Sequence, residues 1–269
     1  MPLLHLAVLA VVQGITEFLP ISSSGHLVLV PIFAGWPDQG LLLDVAVHVG
    51  TLGAVMLYFW RDLWSILVGL TRMAKGKKHP GSRLLGHMIL GTIPVIAAGY
   101  YINEYYGDAF RSLMVIGWTT FGFGILLYLA DKFGMTIRRI EHLSIGSTLF
   151  IGLAQCLALI PGTSRSGITI TAARMLGFER LDAARFSMLL SIPTILGAGI
   201  LKGWELYQLG NAQLTSDVFL AAGLAFGTAL IALVLMMAWI RRATFTPFVI
   251  YRLLLGAALL ALAYSGGVS

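Results

Sequence analysis

Two short segments gather chemically active residue types inside otherwise apolar sequence. The first runs Gln13-Gly14-Ile15-Thr16-Glu17-Phe18-Leu19-Pro20-Ile21-Ser22-Ser23-Ser24-Gly25-His26. Gln13 and Glu17 are four residues apart and share one face of a helix. Pro20 ends that helix, Ser22 to Gly25 make a tight polar turn, and His26 falls in the first turn of a returning helix. A serine beside a carboxylate and an imidazole has the spacing of an activated nucleophile, with Ser23 attacking and Glu17 or His26 taking its proton. Taken alone, a Ser-rich turn is ordinarily a helix cap. Glu17 changes that reading, because an ionisable group at membrane depth costs roughly 2.5 to 3.5 kcal/mol and is kept for function.

The second segment runs Gln155-Cys156-Leu157-Ala158-Leu159-Ile160-Pro161-Gly162-Thr163-Ser164-Arg165-Ser166-Gly167. A guanidinium among hydroxyls at a Gly-rich helix start suits an anion, and phosphate fits it best. Free N–H groups at the helix start add a partial positive charge, and Arg165 offers a fork of donors matched to phosphate oxygens. Thr163, Ser164, Ser166 and Gly167 then join Ser22, Ser24 and Gly25 as candidate phosphate contacts. The competing reading is that Arg165 pairs with Glu17 across the two segments and fixes the fold. Asp44 and His48 form another four-apart pair, read as supporting or interfacial residues without a direct role. Arg252 is a further charge within an apolar stretch, a distant phosphate contact or a structural partner.

Lipid must be the solvent of the elements that position these residues. Of the 269 residues, 58% are hydrophobic and 11% charged, with a mean hydropathy of +0.86, against roughly 25% charged in a soluble domain. Apolar stretches near the roughly 20 residues of a spanning helix recur at 41–58, 84–102, 113–130, 186–201, 218–240 and 245–264, predicting six spans. The net charge of +6 comes from short loops between them, so nucleic acid is not an expected partner. The lone Cys156 excludes an internal disulfide.

Arg61, Arg72, Lys75, Lys77, Lys78 and Arg83 put segment 61–83 in the cytoplasm. Counting spans, the loop with Glu104 and Asp108 falls outside, Lys132, Arg138 and Arg139 inside, 202–217 outside, and Arg241 and Arg242 inside. Trp36, Trp60, Trp64 and Trp204 read as interface anchors. Segments 3–30 and 145–176 are broken by Pro, Gly, Ser and charge, and are predicted to be re-entrant hairpins of two half-helices. The offset that carries Gln13 onto Gln155 also carries Ser22 onto Ser164, Ser24 onto Ser166 and Gly25 onto Gly167. Each copy, 1–130 and 145–266, is one hairpin plus three spans, so the second enters from the opposite face. The expected fold is one all-α membrane domain, an inverted-topology repeat with its site near the midplane.

Gln13 to His26, Pro161 to Gly167 and Phe248-Val249-Ile250-Tyr251-Arg252 together resemble the undecaprenyl pyrophosphate phosphatase family of the bacitracin-resistance type. The resemblance covers nearly the whole chain. It implies hydrolysis of a C55 isoprenyl diphosphate to the monophosphate at the outer side of the bacterial inner membrane, recycling the carrier for peptidoglycan synthesis. It also implies a divalent cation, Mg2+ or Ca2+, and carries the family's acidic motif onto Glu17, its hydroxyl pair onto Ser22 and Ser23, its His onto His26 and its Arg onto Arg165. Gln13 departs from members with a second glutamate, although its carbonyl oxygen still suits a hard cation. Metal-bound water attacking directly is the alternative to Ser23. A transporter or flippase of a phosphorylated lipid is the rival of another class. Whether the chain pairs as a homodimer is left open.

Overall fold

The computed structural model describes residues 2–37, 40–105, 110, 112–209 and 212–265. Among these it is all-helical: α1 Leu3–Thr16, α2 Ser23–Ala34, α3 Gly40–Tyr58, α4 Trp60–Met73, α5 Pro80–Tyr105 and α6 Leu113–Phe133 make the first part. The second comprises α7 Ile145–Cys156, α8 Arg165–Met175, α9 Arg180–Leu209, α10 Ala212–Ile240 and α11 Thr246–Tyr264. Residues 106–109, 111, 210 and 211 lie outside the described ones, and with them Asp108 and much of the expected outer loop at 103–111. The expected outer segment 202–217 is largely the end of α9 and the start of α10.

Among the described residues four helical stretches are long and apolar enough to cross a membrane: Pro80–Ile102, Leu113–Phe133, Ser216–Ile240 and Thr246–Tyr264. Leu43–Tyr58 with Trp60–Met73, bent by 78°, makes a fifth if the pair counts as one span. The sixth expected stretch, 186–201, lies inside α9, where Ser187, Ser191 and Thr194 make the helix less apolar. Two of those residues serve the site described below. Segment 61–83, read as a basic loop, instead holds α4 and the first turn of α5. Arg61, Asp62 and Arg72 share α4 with exposed Trp60, Trp64, Leu67 and Leu70, an amphipathic composition suited to the membrane interface.

Both broken segments are short helix pairs, α1–α2 and α7–α8, each with a non-helical turn between its halves. α1 packs on α10 and α7 packs on α5, while α3 with α10 and α6 with α11 form the most extensive helix contacts. Phe18, Leu127, Ile170, Met188, Leu190 and Phe245 form the centre of the apolar core. Large apolar side chains such as Ile93, Phe219, Ile231 and Leu254 face outward, where lipid removes the penalty that water would impose. At another corner, buried Asp131 accepts from Arg174 Nε at 3.1 Å, Arg180 Nε at 2.7 Å and the Phe245 N–H at 3.3 Å, fastening α6, α8, α9 and α11 together.

The turn between α7 and α8 depends on Gly162. Its φ of +90° is a left-handed conformation, and an added Cβ would stand 2.1 Å from Thr119 Oγ1 and 2.7 Å from the Ile116 carbonyl. Gly162→Ala should therefore cost about 2 to 4 kcal/mol, from backbone strain plus overpacking. Thermal unfolding of the purified variant checks this, and an unchanged midpoint would show that the turn tolerates the side chain.

Candidate active site

Each hairpin turn ends in a serine with an unusual backbone. Ser22 has φ +76° and Ser164 φ +71°, the two positive-φ residues other than glycine among the described residues. Each caps the helix that follows: Ser22 Oγ accepts from the Gly25 N–H at 3.3 Å, and Ser164 Oγ from the Gly167 N–H at 3.1 Å. Each also contacts the hydroxyl two residues on, Ser22 with Ser24 at 3.3 Å and Ser164 with Ser166 at 3.2 Å. L-residues in this region are strained by roughly 1 to 3 kcal/mol, and such strain concentrates at functional sites. The correspondence of Ser22 with Ser164 and of Gly25 with Gly167 thus extends from sequence to geometry.

Arg252 of α11 holds the two turns together. It is fully buried. Its guanidinium donates to the carbonyls of Pro20 in the first turn at 3.1 Å and of Gly162 and Thr163 in the second at 3.0 Å each. It also donates to Thr120 O at 3.1 Å and Thr119 O at 3.3 Å in α6. Of the two sequence readings of Arg252, the geometry is that of the structural partner. Gly167 makes room for it, since a Cβ there would lie 2.8 Å from an Arg252 nitrogen. Carbonyls freed where the helices break are thus satisfied by this cation together with the Thr119 and Thr120 hydroxyls, which donate to Pro161 O at 2.6 Å and Gly162 O at 3.4 Å. Ser166 adds a further tie by donating to Leu19 O at 3.0 Å.

The turns meet at a cavity of about 320 Å3 lined by Glu17, Ser23 and Ser24 from one hairpin and Gln155, Ser164 and Arg165 from the other. Asp44 and His48 of α3, Val95 of α5 and Thr194 of α9 complete its polar and apolar walls. Glu17 is the centre of the network. Its Oε1 accepts from Arg165 at 2.8 Å, and its Oε2 accepts from Ser23 Oγ at 2.6 Å and Gln13 Nε2 at 2.9 Å. Arg165 donates a second bond to Ser187 O at 3.0 Å, which aims the guanidinium while leaving N–H groups over. The expected cross-hairpin pairing of Glu17 and Arg165 is present, within the same cavity as the serine.

Other predicted residues stand elsewhere. His26 is held away from Ser23: its Nδ1 lies 2.6 Å from Ser22 O and its Nε2 2.6 Å from Tyr251 Oη. A carbonyl only accepts, so Nδ1 carries the proton and, in the neutral ring, Nε2 accepts from the tyrosine. Ser22, Gly25, Thr163, Ser166 and Gly167 lie behind the cavity wall and shape the turns. The N–H groups of Thr163 and Gly167 are spent on Ile160 O and Ser164 Oγ. His48, set aside in the sequence reading, is brought in: its Nδ1 contacts Asp44 O at 2.6 Å, and its Nε2 lies 3.4 Å from Glu17 Oε2. Its four-residue spacing from Asp44 was visible, but only the meeting of α3 with the first hairpin gives it Glu17 as a neighbour.

Among the described residues no group of three or more His, Cys, Asp or Glu side chains is placed to hold a metal ion. Glu17, Asp44 and Gln155 bring side-chain oxygens to the cavity lining, and the amide carbonyls of Gln13 and Gln155 are both buried with no hydrogen-bond partner among the described residues. One carboxylate and one orphaned carbonyl fit a hard cation that takes its remaining ligands from water and substrate phosphate, as Mg2+ commonly does.

The family model for the bacitracin resistance protein BacA matches residues 6–258. The chain belongs to the BacA family. This BacA-family chain is 54% identical over 273 residues to undecaprenyl-diphosphatase 1 of Rhodospirillum rubrum, covering 99% of the chain and 97% of that relative. It is 53% identical over 267 residues to the undecaprenyl-diphosphatase of Ruegeria pomeroyi, covering 98% and 100%. With that of Hahella chejuensis the identity is 48% over 262 residues, covering 97% and 98%. The expected family and multi-pass membrane character are thus both found, and the BacA match spans both hairpins and the Arg252 segment.

Proposed function

We propose that this chain is an undecaprenyl-diphosphatase that releases phosphate from the C55 isoprenyl diphosphate and returns the monophosphate carrier to peptidoglycan synthesis, with bacitracin resistance as a consequence. One observation carries the mechanism: Ser23 Oγ donates to Glu17 Oε2 at 2.6 Å while Arg165 holds Oε1 of the same carboxylate at 2.8 Å. Ser23 attacks the terminal phosphorus, its proton passes to Glu17, and the bond from that phosphorus to the bridging oxygen breaks. Arg165 draws the phosphoryl oxygens into line, and Ser24 and Ser164 on the cavity wall add hydroxyls. Water then releases the phosphate from Ser23. His26, tied to Ser22 and Tyr251, acts on the shape of the turn in this account. A divalent cation, Mg2+ or Ca2+, held by Glu17 and Gln13 with the diphosphate itself, would neutralise charge developing on the phosphoryl group.

The two halves, 1–130 and 145–266, form an inverted-topology repeat, supported by the paired serine turns and the matching α1–α10 and α7–α5 contacts. The basic segments put α4 and the α6–α7 connection in the cytoplasm of a bacterial inner membrane, so the cavity near the start of α3 opens outward. A lipid-phosphate transporter would use the same broken helices. It has no use for a serine bonded to a buried carboxylate, and that contact favours the enzyme.

Ser23→Ala should lower turnover of a long-chain isoprenyl diphosphate by about 10² to 10⁴-fold. Acid quenching should trap phosphoserine in the parent and not in the variant. Near-parental turnover in Ser23→Ala would shift the attack to water. In the same assay, chelation should abolish turnover and added Mg2+ or Ca2+ restore it; chelation without effect removes the cation from the account.

A further inference from the structure

A second and larger cavity, about 860 Å3, lies among α4, α5, the connection before α7, and α9. Nothing in the proposed phosphatase reaction uses it. Lys77, Lys78 and Arg83 stand on its lining beside Arg185. Its acidic members are Asp62 and Glu141, and Asp62 is already paired with Arg185. Arg83 donates to Leu143 O and keeps its charge, so the cavity carries excess positive charge on Arg83, Lys77 and Lys78, all exposed.

Orientation in the membrane accounts for basic residues on this face. It does not account for a concave site beneath them. Pro80 and Gly81, at the start of the 26-residue α5, line the same cavity, but Pro80 has no N–H and the Gly81 N–H is donated to His79 Nδ1 at 3.1 Å, so the anion contacts fall to the lysines. His87, buried, marks the far end; its Nδ1 is held by Thr148 Oγ1 at 2.7 Å. His87 follows Pro80 by seven positions of helix, so the cavity lining runs roughly 10 Å along α5 from its start. Met73, Leu84, Ile140 and Leu143 supply its apolar lining. Exposed cations beside apolar side chains on one lining two helical turns long match a phosphate head group joined to acyl chains.

We propose that this cavity binds the phosphodiester head group of an anionic phospholipid from the cytoplasmic leaflet, with Lys77 and Lys78 on the phosphate and Met73 and Leu84 beside the first acyl carbons. The site is independent of phosphoryl transfer, so lipid bound here stabilises or anchors the protein without being turned over.

The test is equilibrium binding of fluorescent phosphatidylglycerol and phosphatidylcholine to the full-length detergent-purified protein and to a Lys77→Ala, Lys78→Ala double variant. Phosphatidylglycerol should bind at least about tenfold more tightly than phosphatidylcholine to the parent, since each basic residue near an anionic surface contributes on the order of a fivefold factor. The double variant should lose that preference and keep its diphosphatase turnover. Equal binding of both lipids to the parent, or a preference that survives both substitutions, overturns the proposal. Displacement of phosphatidylglycerol by millimolar inorganic phosphate would also overturn it, assigning the site to free phosphate.

Discussion

Exchanging Glu17 for glutamine should lower kcat for diphosphate hydrolysis by about 10³-fold while the protein remains folded in detergent. The amide keeps the length of the carboxylate and accepts from Arg165 through its oxygen, so the cross-hairpin contact survives in neutral form. What it loses is the oxygen that takes the Ser23 proton, now 2.6 Å away, and the negative charge available to a cation. Glu17→Ala would be a poorer test, since it removes the acceptor as well as the charge and leaves the Arg165 guanidinium, only 14% exposed at its side chain, without that hydrogen bond. Steady-state turnover with far-ultraviolet circular dichroism separates the two effects. A Glu17→Gln protein that retains a tenth of parental kcat or more would mean that another group takes the proton. His48, 3.4 Å from Glu17, is the neighbour to replace next.

Arg252→Met should have the largest effect on the fold. Methionine fills much of the volume but leaves the carbonyls of Pro20 and Thr163 without the guanidinium, and takes one of their donors from those of Thr119, Thr120 and Gly162. Hydrogen bonds to a charged group contribute roughly 1.5 to 3 kcal/mol each, and the carbonyls cannot turn to water at this depth. Even with partial repacking, a loss of about 3 to 5 kcal/mol is expected, read as a lower midpoint of thermal unfolding. Arg252→Lys should fall between, because an ammonium carries three donors for five carbonyls. Both variants should also lose turnover, since Glu17 and Arg165 keep their separation only while the two turns are held. A methionine variant that unfolds like the parent would show that Arg252 does not bear the joint between hairpins.

The breaks in the first and second halves of the chain were legible because they rest on local chemistry. Pro20, Pro161 and Gly162 disfavour a continuing helix while Ser22 and Ser164 cap the returning one, and α1–α2 and α7–α8 are separated at those positions. The Glu17, Ser23 and Arg165 grouping was legible for a related reason: charge within apolar sequence has few places to go. Three things were not legible. The 78° bend near Phe59 depends on how α4 lies against its neighbours, and basic residues between spans read as loop whether or not they are helical. The partner of His26 was hidden because Tyr251 is 225 residues away, with no local signal linking them. The work of Arg252 was hidden for the same reason: its acceptors are backbone carbonyls, which look alike at every position in a sequence.

The central claim is that the Glu17–Ser23–Arg165 cavity hydrolyses a lipid diphosphate rather than moving it. The most direct measurement is phosphate release from a long-chain isoprenyl diphosphate by the purified protein with divalent cation, beside an Arg165→Ala control in which lipid binding is followed separately. The account predicts steady release by the parent and loss of at least about 10³-fold in the control. A parent that binds the diphosphate and releases no phosphate with Mg2+ or Ca2+ would contradict it and favour a carrier of the same lipid.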